Sequence, residues 1–445
     1  MVRHANTWAA FANERPPDSL PQMPELGDEL SVTIERLSYG PDAVARSNGQ
    51  VVFVPRAAPG DELVVALSDQ RRTYARGDIV SVRQAGPGRT EPRCPAFGEC
   101  GGCQWQHLAP AVQATAKRDV VTELLQRLGG LVDPPVEPTI GLPDPWAYRS
   151  RITLAADAQH LGFRRAQSHQ IVEIEACPIA DVTLSGLLPR ARQWATELGP
   201  SLERLTLTVG EHGAIAVAQL ARRSTRRQQR TAAALVETDA ALQGMVLLGD
   251  DDRAEVGDVL RHLPVEPDLH LEVPADAFTQ VSAAGNLALV TAVLERAAIA
   301  PGARVLDLFC GAGNFGLPLA RRGARLHGVD TSAVAVQAAR TNAARLGLDD
   351  ATFEVGEARD ALGDGWPGET DLVVLDPPRR GIRDLVPALL QRRPAHVLYV
   401  SCDPATLARD LRDLAGGGYR LAHVRPIDLF PHTYHVEAVA DLWLT

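Results

Sequence analysis

A handful of thiols and carboxylates carry the chemistry open to this chain of 445 residues. Cys402 closes the apolar run HVLYVSC and is followed at once by Asp403-Pro404, a helix-start signature. A cysteine between a strand end and a helix N-terminus has its thiolate, the nucleophilic form, favoured by the helix dipole. Seen alone, such a residue reads equally as a buried structural thiol. A second strand-like run ends in Asp376-Pro377-Pro378, and the carboxyl edge of an α/β sheet is where ligands bind, so Cys402 reads as a nucleophile. Glu437, in PHTYHVEAVADLWL, is the candidate base; by itself it would pass for a solvated strand-end residue. The pair suits covalent chemistry on a pyrimidine. Adding a thiolate to C6 of uracil makes C5 electron-rich enough to take a methyl group, and a base then removes the C5 proton so that the thiolate leaves.

A partner site lies upstream. The run RVLDLF passes into Cys310-Gly-Ala-Gly-Asn-Phe-Gly316, whose glycines let backbone approach a ligand, and the next run ends in Asp330, a carboxylate suited to ribose hydroxyls. A nicotinamide enzyme is the competing reading. The Asp-Pro-Pro that follows, however, suits a methyltransferase meeting a planar nitrogenous substrate.

The elements that must position these groups fall into blocks. Residues 1–24 are rich in Pro and polar residues and read as a disordered tail. From 25 to 86, short β-branched runs between Gly and Pro turns predict a small β-barrel. A helix is expected around AVQATAKRDVVTELLQRL, inside a mixed α/β central block spanning 87–270. The last block, 271–445, alternates the strands RVLDLF, RLHGVD, DLVVLD and HVLYVSC with Ala- and Leu-rich helices, which implies a doubly wound, mostly parallel sheet.

Composition is that of an ordinary globular protein, 45% hydrophobic and 22% charged. No stretch approaches the roughly 20 apolar residues of a membrane span, and no export signal opens the chain, so a cytoplasmic location is expected. Cys94, Cys100 and Cys103 are packed closely, which in such a chain reads as metal or cluster binding rather than disulfides. The net charge of -10 argues mildly against a nucleic-acid partner. Two arginine groups soften that objection: Arg71, Arg72 and Arg76 around Tyr74, and Arg222, Arg223, Arg226, Arg227 and Arg230. Runs of this kind are usually solvated faces.

The landmarks FCGAGNFGLPLA, LDPPRRG, SCDP and HVE, in that order, resemble the RNA (uracil-5-)methyltransferase family, in particular its longer members with a TRAM domain and an iron–sulfur cluster. The segment YGPDAVARSNGQVVFVPRAAPGDE resembles TRAM sequences, and YRSRITL, LGFRR and EACPIAD resemble the family's central RNA-binding domain. The resemblance implies an S-adenosylmethionine-dependent enzyme with a Rossmann-like C-terminal domain. Cys402 would be nucleophile and Glu437 proton acceptor. Gln280, Phe309, Asn314, Asp330 and Asp376 would contact the methyl donor, with Phe278 and Asp376 at the substrate base. It also implies that Cys94, Cys100, Cys103 and Cys177 ligate a [4Fe–4S] cluster, for which tetrahedral zinc is the alternative. Ser282 departs from the family, many of whose members carry asparagine there. The substrate implied is 23S ribosomal RNA, with transfer RNA as rival, acted on by a monomer. Cytosine-5 methylation is disfavoured because Asp-Pro-Pro stands where those enzymes need a second cysteine. A non-catalytic RNA-binding protein is disfavoured because no catalytic position is damaged.

Overall fold

A computed structural model describes residues 26–366 and 368–445; the expected tail at 1–24 lies outside the described residues. The chain divides into two compact units. One contains the described residues up to Gly98 together with 102–120 and 430–435, and the other contains 99–101, 121–429 and 436–445.

In the first unit, strands β1 (Glu29–Leu37), β2 (Asp42–Ser47), β3 (Gln50–Pro55), β4 (Glu62–Gln70) and β5 (Tyr74–Gln84) close a barrel in the order β1-β2-β3-β5-β4. Closure leaves no sheet edge unpaired. Alternate residues such as Val32, Ile34, Val52, Val54, Leu63 and Val65 fill the interior. Trp105 and Leu108 join that core from the segment preceding the helix Pro110–Arg127.

The second unit holds two seven-stranded sheets and a hairpin. Strands β6 (Arg151–Ala156), β7 (Leu161–Arg164), β8 (Ile171–Val172), β9 (Leu202–Val209), β10 (Ala214–Leu220), β11 (Leu242–Gly249) and β12 (Asp252–Gly257) pair in the order β12-β11-β10-β9-β6-β7-β8. All pairs are antiparallel except β10–β11, which the helix Arg226–Thr238 connects as a crossover. Strands β13 (Leu260–Glu266) and β14 (Leu269–Pro274) form the hairpin.

The remaining sheet consists of β15 (Arg304–Leu308), β16 (Arg325–Asp330), β17 (Ala351–Val355), β18 (Leu372–Leu375), β19 (His396–Ser401), β20 (Tyr419–Ile427) and β21 (Glu437–Leu444), in the order β17-β16-β15-β18-β19-β21-β20. The first five are parallel; β15, β18 and β19 are buried on both faces and read as near-continuous apolar runs, while β17 is largely exposed at the edge, and β21 runs antiparallel to both neighbours. Strand order reverses at β15, and the crevice beyond the carboxyl ends of β15, β16 and β18 is the expected ligand position in such a sheet. Among the described residues, no helix is long and apolar enough to cross a membrane.

Candidate active site

Three carboxyl-end groups share one electrostatic environment. Cys402 follows β19 directly, and Asp403 caps the helix Pro404–Gly416, its Oδ1 accepting from the Ala405 and Thr406 amides at 3.0 and 2.9 Å. The helix start is therefore where the sequence placed it. The thiol is nevertheless not a resting thiolate: burial, then the carboxyls of Glu437 and Asp376, push it up to about 12, and only the Arg379 guanidinium pulls the other way. Burial and facing acids outweigh the helix dipole, so a base must take the thiol proton.

Among the acids around that thiol, Glu437 raises it most. It opens β21, and far from being solvated it is 3% exposed. Burial, then the charge of Asp376, raise its carboxyl to about 8, against the pull of Arg379. Asp376 follows β18 and donates its amide to the Leu308 carbonyl at 3.3 Å. Part of its surface opens to the crevice, yet the surrounding protein and then Asp330 raise its carboxyl to about 7.

Arg379 escaped the sequence reading, although it stands inside LDPPRRG. Its loop is fastened to the Pro404–Gly416 helix along one face. The Thr406 hydroxyl donates to the Arg379 carbonyl (3.2 Å), and Arg409 donates to the Arg380 carbonyl (2.9 Å). Fully buried Asp410 accepts from the Ile382 amide (2.8 Å) and the Tyr399 hydroxyl (2.9 Å). Gly381 sits at φ +72°, and a Cβ there would come within 2.3 Å of Asp410 Oδ2, so the loop can lie this close only with glycine. The segment carrying Asp376 and Arg379 is thus tied to the helix that presents Cys402.

The neighbouring loop is a cradle. Phe309 takes φ +64°, an uncommon backbone for a bulky residue, and Gly311 and Gly313 take +53° and +90°. A Cβ on Gly311 would meet nothing, which leaves backbone open to a ligand. Asp330 holds the loop: Oδ2 accepts from the Gly311 amide at 2.9 Å and Oδ1 from the Ser332 amide at 2.8 Å, each oxygen keeping a lone pair for a ligand. Asn314 exchanges two amide hydrogen bonds with Asn286, at 2.9 and 3.0 Å. Beneath lies Asp307, which burial raises to about 8; Oδ2 accepts from the Gly316 amide at 2.9 Å, and Oδ1 has no partner among the described residues. Asp376 and Asp330 raise Asp307 further, and Asp330 raises Asp376, an arrangement that a cationic ligand such as a sulfonium would relieve. Cys310 packs as a buried thiol under this loop.

Gln280 is buried and Phe278 is 75% exposed, both on the segment before the helix Ala283–Arg296. Thr279, between them, accepts from buried Arg261 at 2.7 Å. Ser282 has a plain role: it is the N-cap, its hydroxyl accepting from the Gly285 amide at 3.0 Å. Asparagine caps as well as serine does, which accounts for the departure.

The four candidate metal ligands are each half-buried. The Cys94 amide donates to Gln106 Oε1 (3.0 Å) and the Cys177 amide to the Ser185 hydroxyl (2.9 Å). Cys94 and Cys103 fall in the first unit, Cys100 and Cys177 in the second. Among the described residues, no three His, Cys, Asp or Glu side chains come together as a metal site.

Comparison with known proteins matches this arrangement. A TRAM domain family covers residues 25–80, a tRNA (Uracil-5-)-methyltransferase family covers 158–355, and a methyltransferase domain family covers 299–412. The 23S rRNA (uracil(1939)-C(5))-methyltransferase RlmD of Shewanella denitrificans is 34% identical over 94% of this chain and 96% of its own. An uncharacterized RNA methyltransferase of Gloeobacter violaceus is 35% identical over the same shares. The crystal structure of Pyrococcus abyssi tRNA (uracil-54, C5)-methyltransferase in complex with S-adenosyl-L-homocysteine superposes with a TM-score of 0.72, at 25% identity, over 93% of this chain and 100% of that one. Barrel, sheet order, acid-lined cradle and whole-length likeness agree: this chain belongs to the RNA (uracil-5-)methyltransferase family.

Proposed function

We propose that the protein methylates C5 of a uridine in 23S ribosomal RNA, with Cys402 as nucleophile and Glu437 as proton acceptor. The observation that carries the reading is that Cys402, Glu437 and Asp376 lie within each other's fields at the carboxyl edge of the sheet. The Phe309–Asn314 cradle, Asp330, Asp376 and Gln280 would hold S-adenosylmethionine, which supplies an electrophilic methyl group. The chain's own groups do the rest. Cys402 gives up its proton to a neighbouring carboxylate, and its sulfur adds to C6 of the uracil, leaving electron density at C5. After C5 is methylated, Glu437 removes the C5 proton, the C5–C6 double bond re-forms and the sulfur leaves. Phe278, largely exposed, offers a flat apolar face to a base drawn out of the RNA.

Ribosomal RNA is favoured because several relatives alike over nearly their whole length, such as those of Shewanella, bear that name, whereas the solved neighbour acts on transfer RNA at lower identity. Mapping 5-methyluridine in ribosomal and transfer RNA from a deletion strain beside its parent tests the choice. Loss at one 23S position supports it; loss confined to transfer RNA replaces the substrate.

The proposal includes a [4Fe–4S] cluster on Cys94, Cys100, Cys103 and Cys177. Its support is the donor set and spacing, since four thiolates suit either a cubane or zinc. No catalytic step depends on it. Iron, sulfide and zinc analysis of anaerobically purified protein decides: four iron and four sulfide per chain are expected, about as for any such cluster, and stoichiometric zinc would overturn that part.

A further inference from the structure

We infer that the arginines at 222–230 form a docking surface for the phosphate backbone of the RNA substrate. The segment ARRSTRRQQR carries Arg222, Arg223, Arg226, Arg227 and Arg230 and no acidic residue, in a chain whose net charge is -10. All five are exposed. Among the described residues none of the five forms an ion pair, although arginines elsewhere on the surface, such as Arg127, Arg190 and Arg412, each hold a carboxylate within 4.0 Å.

Their placement opposes helix electrostatics. Arg226 and Arg227 occupy the first turn of the helix Arg226–Thr238, at the positive end of its dipole, with no acid beside them in that turn. Arg230 stands one turn on, three and four residues from those two, where like charges repel. Gln228, Ala232 and Leu235 form the buried face, which turns the arginines outward. Such an arrangement costs stability unless an anion meets it, and a helix N-terminus ringed by guanidinium groups suits phosphate.

The surface is also held rigid. Thr225 and Gln228 form a reciprocal capping box, and Gln228 donates to the Leu198 carbonyl and the Ser201 hydroxyl. The preceding turn is pinned by Ser224, whose amide and hydroxyl both donate to Asp252 Oδ2, at 2.9 and 2.5 Å. Asp252, held by Ser224 next to Arg223 in sequence, offsets part of that arginine's charge, so Arg222, Arg226, Arg227 and Arg230 carry the attraction. Little ordering is then needed on binding.

The inference rests on the proposed RNA substrate. Its test compares wild type with the triple variant Arg226→Gln, Arg227→Gln, Arg230→Gln in filter binding to protein-free 23S RNA between about 50 and 200 mM salt. A control, Arg127→Gln, Arg190→Gln, Arg412→Gln, makes the same change in net charge at ion-paired positions. The patch variant should bind about tenfold or more weaker at low salt, with a log–log salt slope shallower by about two to three. Its thermal midpoint and S-adenosylmethionine binding should equal or exceed wild type, and kcat at saturating RNA should be unchanged while KM rises. Affinity and slope equal to wild type, or a loss matched by the control, would overturn the docking surface. Failure of the proposed activity shows separately, as wild type that binds RNA but methylates no uridine.

Discussion

At the scale of single residues, a thiol held protonated has to be made nucleophilic only when substrate is present. Cys402 is pushed up by burial and by Glu437 and Asp376, and the opposing cation is Arg379. Removing the sulfur in Cys402→Ala should abolish both methylation and covalent RNA adducts, measured by gel shift under denaturing conditions. Glu437→Gln should let adduct accumulate, because proton removal follows methylation; prompt release of methylated RNA by that variant would discard Glu437. Since Glu437 sits near 8, elimination in wild type should speed up as pH rises from about 7 to 9 and its carboxylate forms. A pH-independent single-turnover elimination would contradict the assignment. Cys402, Glu437 and Asp376 were legible as candidates because each stands in a short motif at a strand boundary. Arg379 was not, because its effect depends on a loop fastened by Thr406, Arg409 and Asp410, side chains with no motif of their own. The helix start alone favours a thiolate, whereas burial first, and then carboxyls far away in sequence, push the thiol up.

At the scale of elements, helix caps and strand ends fix where these groups point. Ser282 starts the helix Ala283–Arg296, from which Asn286 reaches Asn314 in the cradle. Ser282→Ala should cost about 1 kcal/mol and Ser282→Asn close to nothing, read as denaturant midpoints. Asp307 ties β15 to the Gly316 amide from a fully buried position. Its folded carboxyl is raised to about 8, so the folded state binds more protons than the unfolded one from about pH 4 to 8, and the residue's contribution falls as pH rises through that window. Asp307→Asn keeps an acceptor for Gly316 without titrating. Its stability relative to wild type should climb from pH 5 to about 9, and a constant difference would refute the buried charge. The strands of the last sheet were readable as apolar runs between glycine-rich turns. The central sheet was not, because the parallel β10–β11 pair made across the Arg226–Thr238 crossover leaves no local signature. Asp307 lies within RVLDLF but its contact is with the Gly316 amide beyond that run, and the Asn286–Asn314 pair joins residues 28 apart.

At the scale of the whole molecule, a barrel unit and a larger α/β unit divide the chain, and the global charge misled more than it informed. A net charge of -10 sums over acids that line the cradle and arginines that gather at 222–230, two features with opposite purposes. Sequence reading gave the family from four motifs, and whole-length likeness to named RNA methyltransferases agrees with it. What composition could not convey is where each sign of charge collects, which is a property of the folded surface.

The central claim is covalent methylation of uracil through Cys402, and RNA carrying 5-fluorouridine tests it most directly. Fluorine at C5 cannot be removed as a proton, so the reaction should halt after methylation with enzyme and RNA joined. Mass mapping of the nuclease- and protease-digested complex should find a methylated fluorouridine on the peptide containing Cys402, formed only when S-adenosylmethionine is present. A cross-link at another residue, or full methylation of ordinary RNA by Cys402→Ala, would contradict the account.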